Sequence, residues 1–119
     1  MPGFKTKEYI IKHLINKGLE VKDFGCYSEE SIDYPDFAHP VAEMVLAHPG
    51  MKGILLCGSG NGINMTANKH QGIRAALCWN NELVELTRLH NNSNILSIPA
   101  RFVSLQQALG FVEIFLNFP

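Results

Sequence analysis

Cysteine is scarce in this chain of 119 residues: Cys26, Cys57 and Cys78 are the only three. An odd count with no CxxC spacing argues against a disulfide framework and against a zinc ribbon. A reducing cytoplasm is the setting that this usage fits. No charge dominates either. Ten Lys and Arg stand against eleven Asp and Glu, a formal net charge of -1, so a polybasic surface for nucleic acid or membrane is not expected. No apolar run approaches the ~18 residues of a membrane helix, and the opening MPGFKTKEY lacks the apolar core of a signal peptide. Repeats, low-complexity tracts and linkers are absent. What remains is 46% hydrophobic and 18% charged residues, enough for one packed domain over 1–119.

Periodicity orders that domain. Tyr9, Ile10, Ile11, Leu14 and Ile15 recur at helical spacing within 5–17, and Gly18 stops the helix. LEVKDF, 19–24, alternates as a strand does. Pro35 opens a second helix, with Phe37, Val41, Met44 and Val45 on its buried face. The apolar run 54–57 is a strand, followed by GSGNG and a helix over 63–69. Further strands are expected at 73–78 and 94–98, with a helix over 80–90 between them. Ser104 caps a last helix that turns Leu105, Leu109, Val112 and Phe115 inward. Strands alternating with helices give a parallel sheet with helices on both faces. The class is α/β, Rossmann-like, in the flavodoxin-like order 2-1-3-4-5. Because a helix comes first, the first, central strand is missing from the chain as given, and a gap one strand wide is expected in the sheet.

Ligands of open parallel sheets bind at the carboxyl ends of strands. Cys57 ends such a strand, and Gly58, Ser59, Gly60, Asn61 and Gly62 follow it into a helix. Three glycines in five residues let the backbone approach a ligand and aim N–H groups at an anion. GxGxxG fails at Ile63 and there is no Gly-Lys-Ser/Thr, so the loop suits a small oxyanion better than a pyrophosphate. A thiolate beside backbone N–H donors can remove a proton next to a carbonyl while the donors hold the enolate oxygen. The plainer reading of Cys57 is a buried cysteine at a strand end. His90 and Asn91 end the fourth helix. His90 can serve as an acid or base, or simply as the positive partner of a helix C-terminus. Arg101, after a strand end, can hold phosphate with two N–H groups or lie free on the surface. Tyr34 either reaches the cleft mouth or packs. Arg74 reads as structural, Cys26 and Cys78 as packed or loop thiols. His13, His39, His48 and His70 have no metal spacing and read as surface residues.

The whole pattern resembles the type B ribose-5-phosphate isomerases, in the superfamily that also holds the galactose-6-phosphate isomerase subunits. GFKTKEYIIKHLINKGLEVKDFG, YSEESIDYPDFA, GILLCGSGNGINMTANKHQGIRAAL and RLHNNSNILSIPAR carry the resemblance across nearly all of the chain. It implies a Rossmann-like enzyme, dimeric and in some members tetrameric, with active sites shared between subunits. It further implies interconversion of ribose 5-phosphate and ribulose 5-phosphate with no metal or other cofactor. Cys57 falls on the catalytic base that moves a proton between C1 and C2 through a cis-enediolate. Ser59 falls on the hydroxyl that assists transfer between O1 and O2, and Gly58, Gly60, Asn61 and Gly62 on the anion hole. His90 falls on the ring-opening acid/base, Asn91 on a sugar-hydroxyl ligand, Tyr34 on a cleft-lining residue and Arg101 on a phosphate-side arginine.

Two stretches of the family pattern have no counterpart here: an opening strand ending in an Asp-His pair, and a tail bearing phosphate-clamping arginines. Charge-assisted contacts of that kind are worth about 1.5–3 kcal/mol each, so low activity is expected of these 119 residues. Two alternatives share the pattern: a galactose- or allose-6-phosphate isomerase subunit, and a truncated sugar-phosphate-binding homologue without catalysis.

Overall fold

Three short apolar runs, GILLC, AAL and ILSIP, make the strands of the structure, a computed structural model that describes residues 4–24 and 35–118, the side chains of 35–37 excepted. They are β1 (Gly53–Cys57), β2 (Ala75–Leu77) and β3 (Ile95–Pro99). All pair in parallel, in the order β1-β3-β2, with Cys57 opposite Pro99 and Ala75 opposite Ile95. The parallel α/β sheet is as expected, but the flavodoxin-like order would have placed β2 between the other two. Burial explains the difference. All five residues of β3 are buried, as a strand covered on both faces and both edges must be. β2 is only half-buried, is shorter than the expected 73–78 and forms an edge.

Among the described residues five helices cover the two faces: α1 (Phe4–Asn16), α2 (Pro35–Ala47), α3 (Asn61–Ala67), α4 (Asn81–Asn91) and α5 (Leu105–Asn117). Ile10 and Leu14 of α1, Val84 of α4 and Phe111, Val112 and Phe115 of α5 pack with Leu96 and Ile98 on one face. Ala38, Ala42 and Val45 of α2 and Ile63 and Ala67 of α3 pack with Leu55, Cys57 and Ile95 on the other.

Local chemistry sets the helix ends. Gly18, at φ 85, stops α1, and the Leu19 N–H turns back to the Leu14 carbonyl at 3.1 Å. The Asn80 side chain accepts from the Leu83 N–H at the start of α4, and Asn92, at φ 48, ends it. Ser104 and Gln107 form a reciprocal capping box on α5. Within α5 the buried stripe is Ala108, Phe111, Val112 and Phe115, while Leu105 and Leu109 are half-buried. That stripe keeps i, i+3, i+4, i+7 spacing and is rotated from the expected one.

Residues 19–24 form no strand. The alternation is present, with Val21 packed toward α1 and α5. A strand needs a ladder, though, and these residues face a cavity of about 620 Å³ that separates them from β1. This is where the gap in the sheet was expected.

Candidate active site

β1 and β3 are neighbours, yet the chain leaves β1 for α3 on one face and β3 for α5 on the other. Strand ends from which the chain departs to opposite faces are the place where doubly wound sheets bind ligands. Cys57 sits at that point. Its carbonyl accepts the Ala100 N–H at 2.8 Å, and the Gly58 carbonyl accepts the Arg101 N–H at 3.0 Å. These bonds tie the glycine loop to the turn after β3, so Cys57, residues 58–62 and Arg101 belong to one constellation.

Gly60 holds the loop in shape. It caps α3 at φ 77, a left-handed conformation that glycine adopts without strain. A Cβ there would lie 2.6 Å from Leu77 Cδ1 and 3.3 Å from the backbone of Ile98 and Pro99. Gly58 is buried with it, while Ser59 and Asn61 are exposed. The Asn61 N–H donates to Ser59 Oγ at 3.4 Å. The Asn64 N–H donates to the Gly60 carbonyl, so the N–H groups of Gly62 and Ile63, at the positive end of α3, have no partner among the described residues. Cys57 itself is 8% exposed and its side chain packs into the cluster that contains Ile63 and Ala67. It is a free thiol. The arrangement offers a sulfur, a hydroxyl and unpartnered amides at one sheet end, with an exposed Arg101 beside them.

Other candidates lie elsewhere. α4 runs from the carboxyl end of β2 to the amino end of β3, so His90 and Asn91 sit at the opposite end of the sheet from Cys57. Five strand residues span about 16 Å, and within one chain the structure does not bring His90 or Asn91 to the glycine loop. Asn91 lies instead near Arg74, Ala75 and Ser93. Both His90 and Asn91 are exposed. Tyr34 and Cys26 lie outside the described residues. Arg74 is structural as expected, donating to the Asn92 carbonyl at 2.9 Å and the Gly72 carbonyl at 3.4 Å. Cys78 is buried, which pushes its thiol up to about 11. Three histidines read as surface residues are half-buried. His39 Nδ1 and His70 Nε2 are 2.5 Å apart, a contact across 31 positions that spacing does not show. His13 Nδ1 lies 2.9 Å from the Tyr9 carbonyl. His48 is exposed. The cavity of about 620 Å³ borders Leu55, Leu56 and Ile63 but not Cys57.

Two asparagines were not singled out in the sequence. Asn68 accepts the Ala75 N–H at 2.8 Å and donates to the Ala75 carbonyl at 2.9 Å. Asn94 accepts the Arg74 N–H at 2.8 Å and donates to the Gly72 carbonyl at 3.0 Å. Both stand in the stretches ANK..GIRAAL and HNNSN, whose polar residues beside strand starts were the available signal.

Comparison with known proteins agrees with the geometry. The sequence profile of the ribose/galactose isomerase family matches residues 1–119. Ribose-5-phosphate isomerase B of Escherichia coli is 42% identical over 115 residues, 97% of this chain and 77% of that protein. The crystal structure of a ribose 5-phosphate isomerase from Thermotoga maritima superposes with a TM-score of 0.94 at 46% identity, covering 98% of this chain and 81% of that one. The Mycoplasma genitalium enzyme, solved with bound ribulose-5-phosphate, gives a TM-score of 0.92 at 37% identity, covering 98% and 78%.

Proposed function

Since the chain belongs to the ribose/galactose isomerase family, we propose that it interconverts ribose 5-phosphate and ribulose 5-phosphate, with Cys57 as the base. The observation that carries this reading is the position of Cys57 at the β1 carboxyl end, where it opens a loop leading to the Gly62 and Ile63 amides, which have no partner among the described residues. In the aldose-to-ketose direction the Cys57 thiolate takes the C2 proton of the open-chain sugar and returns it to C1. The hydroxyl of Ser59 assists proton movement between O2 and O1. Gly58, Gly60, Asn61 and Gly62 surround the negative charge of the enediolate, as preorganised donors do in other enolising sites. Arg101 holds the phosphate side.

His90 opens the sugar ring and Asn91 holds a sugar hydroxyl, both in the site of a second subunit. Their place at the far end of the sheet supports a homodimer as the working unit. So do the apolar side chains left in solvent: Leu89 is 62% exposed and Phe102 72%. The thiol chemistry suits a reducing cytoplasm, and among the described residues no helix is long and apolar enough to cross a membrane.

The test is solvent exchange. Ribose 5-phosphate labelled with deuterium at C2 loses label to water when the base is present. Cys57→Ala should lower exchange and turnover together by about 10²–10⁴-fold, the usual contribution of a positioned base, with the fold unchanged by circular dichroism. Unaltered exchange in Cys57→Ala would remove Cys57 from the role. Faster turnover of allose 6-phosphate than of ribose 5-phosphate would reassign the substrate.

A further inference from the structure

The last turn of α4 presents His90 and Asn91 to solvent. Packing gives exposed side chains little direction, so the backbone that carries them must set where they point. That backbone ends in an unusual way. Asn92 caps α4 at φ 48 and is the one non-glycine residue with positive φ among the described residues. Asparagine tolerates that conformation better than most residues, at some cost. Ser93 follows, 1% exposed, and its Oγ has no partner among the described residues. Arg88, one turn back, is half-buried, and its Nε has none either. Four buried side-chain polar atoms lack a partner among the described residues, and two of them fall within 88–93. Native structures keep such atoms few. Three departures from local rules in one short stretch mark a segment held for its geometry rather than for stability.

Arg88 does the holding. Its Nη1 donates to the Ser93 carbonyl at 2.6 Å and to the Asn92 side-chain oxygen at 3.3 Å. One guanidinium thus grips both residues of the turn. It is itself anchored, with its carbon 5.7 Å from the centre of the fully buried Phe115 ring. The Asn92 and Ser93 N–H groups return to the Thr87 carbonyl. From the other side, Arg74 Nε donates to the Asn92 carbonyl at 2.9 Å. That bond ties the turn to the start of β2, whereas the Arg88 bonds tie it to the helix that carries His90. A basic residue near a helix C-terminus ordinarily answers the last carbonyls of its own helix. Arg88 instead reaches past the cap to the buried Ser93.

We propose that Arg88 is a positioning residue of the isomerisation. It locks the Asn92–Ser93 turn, and through it the direction in which His90 and Asn91 leave α4 toward the second subunit. The inference rests on the reading of His90 as the group that opens the sugar ring. It adds to that reading a residue that touches no substrate and acts through the turn. A lysine at 88 would keep the charge but not the planar fork or its stacking on Phe115.

The full 119-residue chain carries the test, as Arg88→Met, which keeps an apolar stem over Phe115, and as Arg88→Lys. The first readout is the nitrogen-15 order parameter of the His90 and Asn91 amides. It should be about 0.85 in the parent chain and fall below about 0.6 in Arg88→Met, while Val84 and Ile95 keep theirs. The second readout is turnover, relative to the parent chain, of two substrates. Ribose 5-phosphate must be opened. Its 4-deoxy analogue lacks the oxygen that closes the furanose ring and is always open. Arg88→Met should slow the first by about 10- to 100-fold, as misplaced catalytic groups do, and leave the second unchanged. Arg88→Lys should fall between parent and Arg88→Met on the first substrate alone. Should Arg88→Met fail to fold, Arg88→Lys must show the selective loss by itself. Equal losses on both substrates, or unchanged order parameters at His90 and Asn91, would overturn the proposal. His90→Ala separates the two ways of failing. If it slows both substrates equally, the ring-opening reading of His90 falls and takes the proposal with it. If it slows ribose 5-phosphate alone while the Arg88 variants do not, the proposal falls and that reading stands.

Discussion

At the β2 edge of the sheet, the outward-facing backbone of Ala75 is taken up by one side chain. The Asn68 amide meets its N–H and its carbonyl at 2.8 and 2.9 Å, much as a neighbouring strand would. At the β1 edge nothing comparable exists among the described residues. Ile54 and Leu56 face a cavity between apolar walls. Edges are where sheets pair with other chains, and proteins commonly blunt them. Here one edge is blunted at Ala75 by a single asparagine, and the other has no such partner among the described residues. The difference teaches that an edge is a matter of backbone satisfaction rather than strand length. On β2 the outward groups of Ala75 are paired, whereas among the described residues those of Ile54 and Leu56 on β1 are not.

The comparison can be broken most strongly at Gly60, where the loop after β1 lies against Leu77 of β2 and the backbone of Ile98 and Pro99 in β3. Gly60→Ala combines a left-handed backbone with overlap, and it should cost about 2–4 kcal/mol in urea unfolding. A loss under 0.5 kcal/mol would mean that the loop does not hold the edges together. Asn68→Ala should cost about 1–3 kcal/mol by orphaning two backbone groups, and the Ala75 amide should then exchange as fast as Ile54. Asn68→Asp keeps the acceptor for the Ala75 N–H and should protect that amide, leaving only the carbonyl unserved. The smallest effect concerns Cys78, next after β2. Its thiol is held at about 11 in the fold against 9.0 in the open chain. The folded state thus binds more protons than the unfolded one within that window, and stability falls as pH rises through it, by about 1.4 kcal/mol at pH 10. Cys78→Ala should flatten that part of the pH–stability curve.

Local signals were legible and distant ones were not. Gly18, Ser104 and the glycine loop could be read because each acts on backbone within a few residues. Leu105 and Leu109 were expected inward on helical spacing alone, but the partners of α5 across the sheet choose Ala108 and Phe111. LEVKDF carries a strand pattern, and pattern cannot supply the neighbour that makes a strand. The central place of β3 depends on burial from both sides, a property of the assembled layers. The place of Cys57 at the carboxyl end of a strand was predictable from the loop. The distance between Cys57 and His90 was not, since it follows from the direction in which α4 crosses the sheet.

The middle position of β3 also bears on the order of events during synthesis. β1 and β2 pair with β3 and not with each other. Among the described residues, neither of these runs therefore has a ladder partner until Ile95–Pro99 has emerged from the ribosome. Until that moment the nascent chain carries bare aliphatic segments, the condition under which chaperones are recruited and misassembly begins.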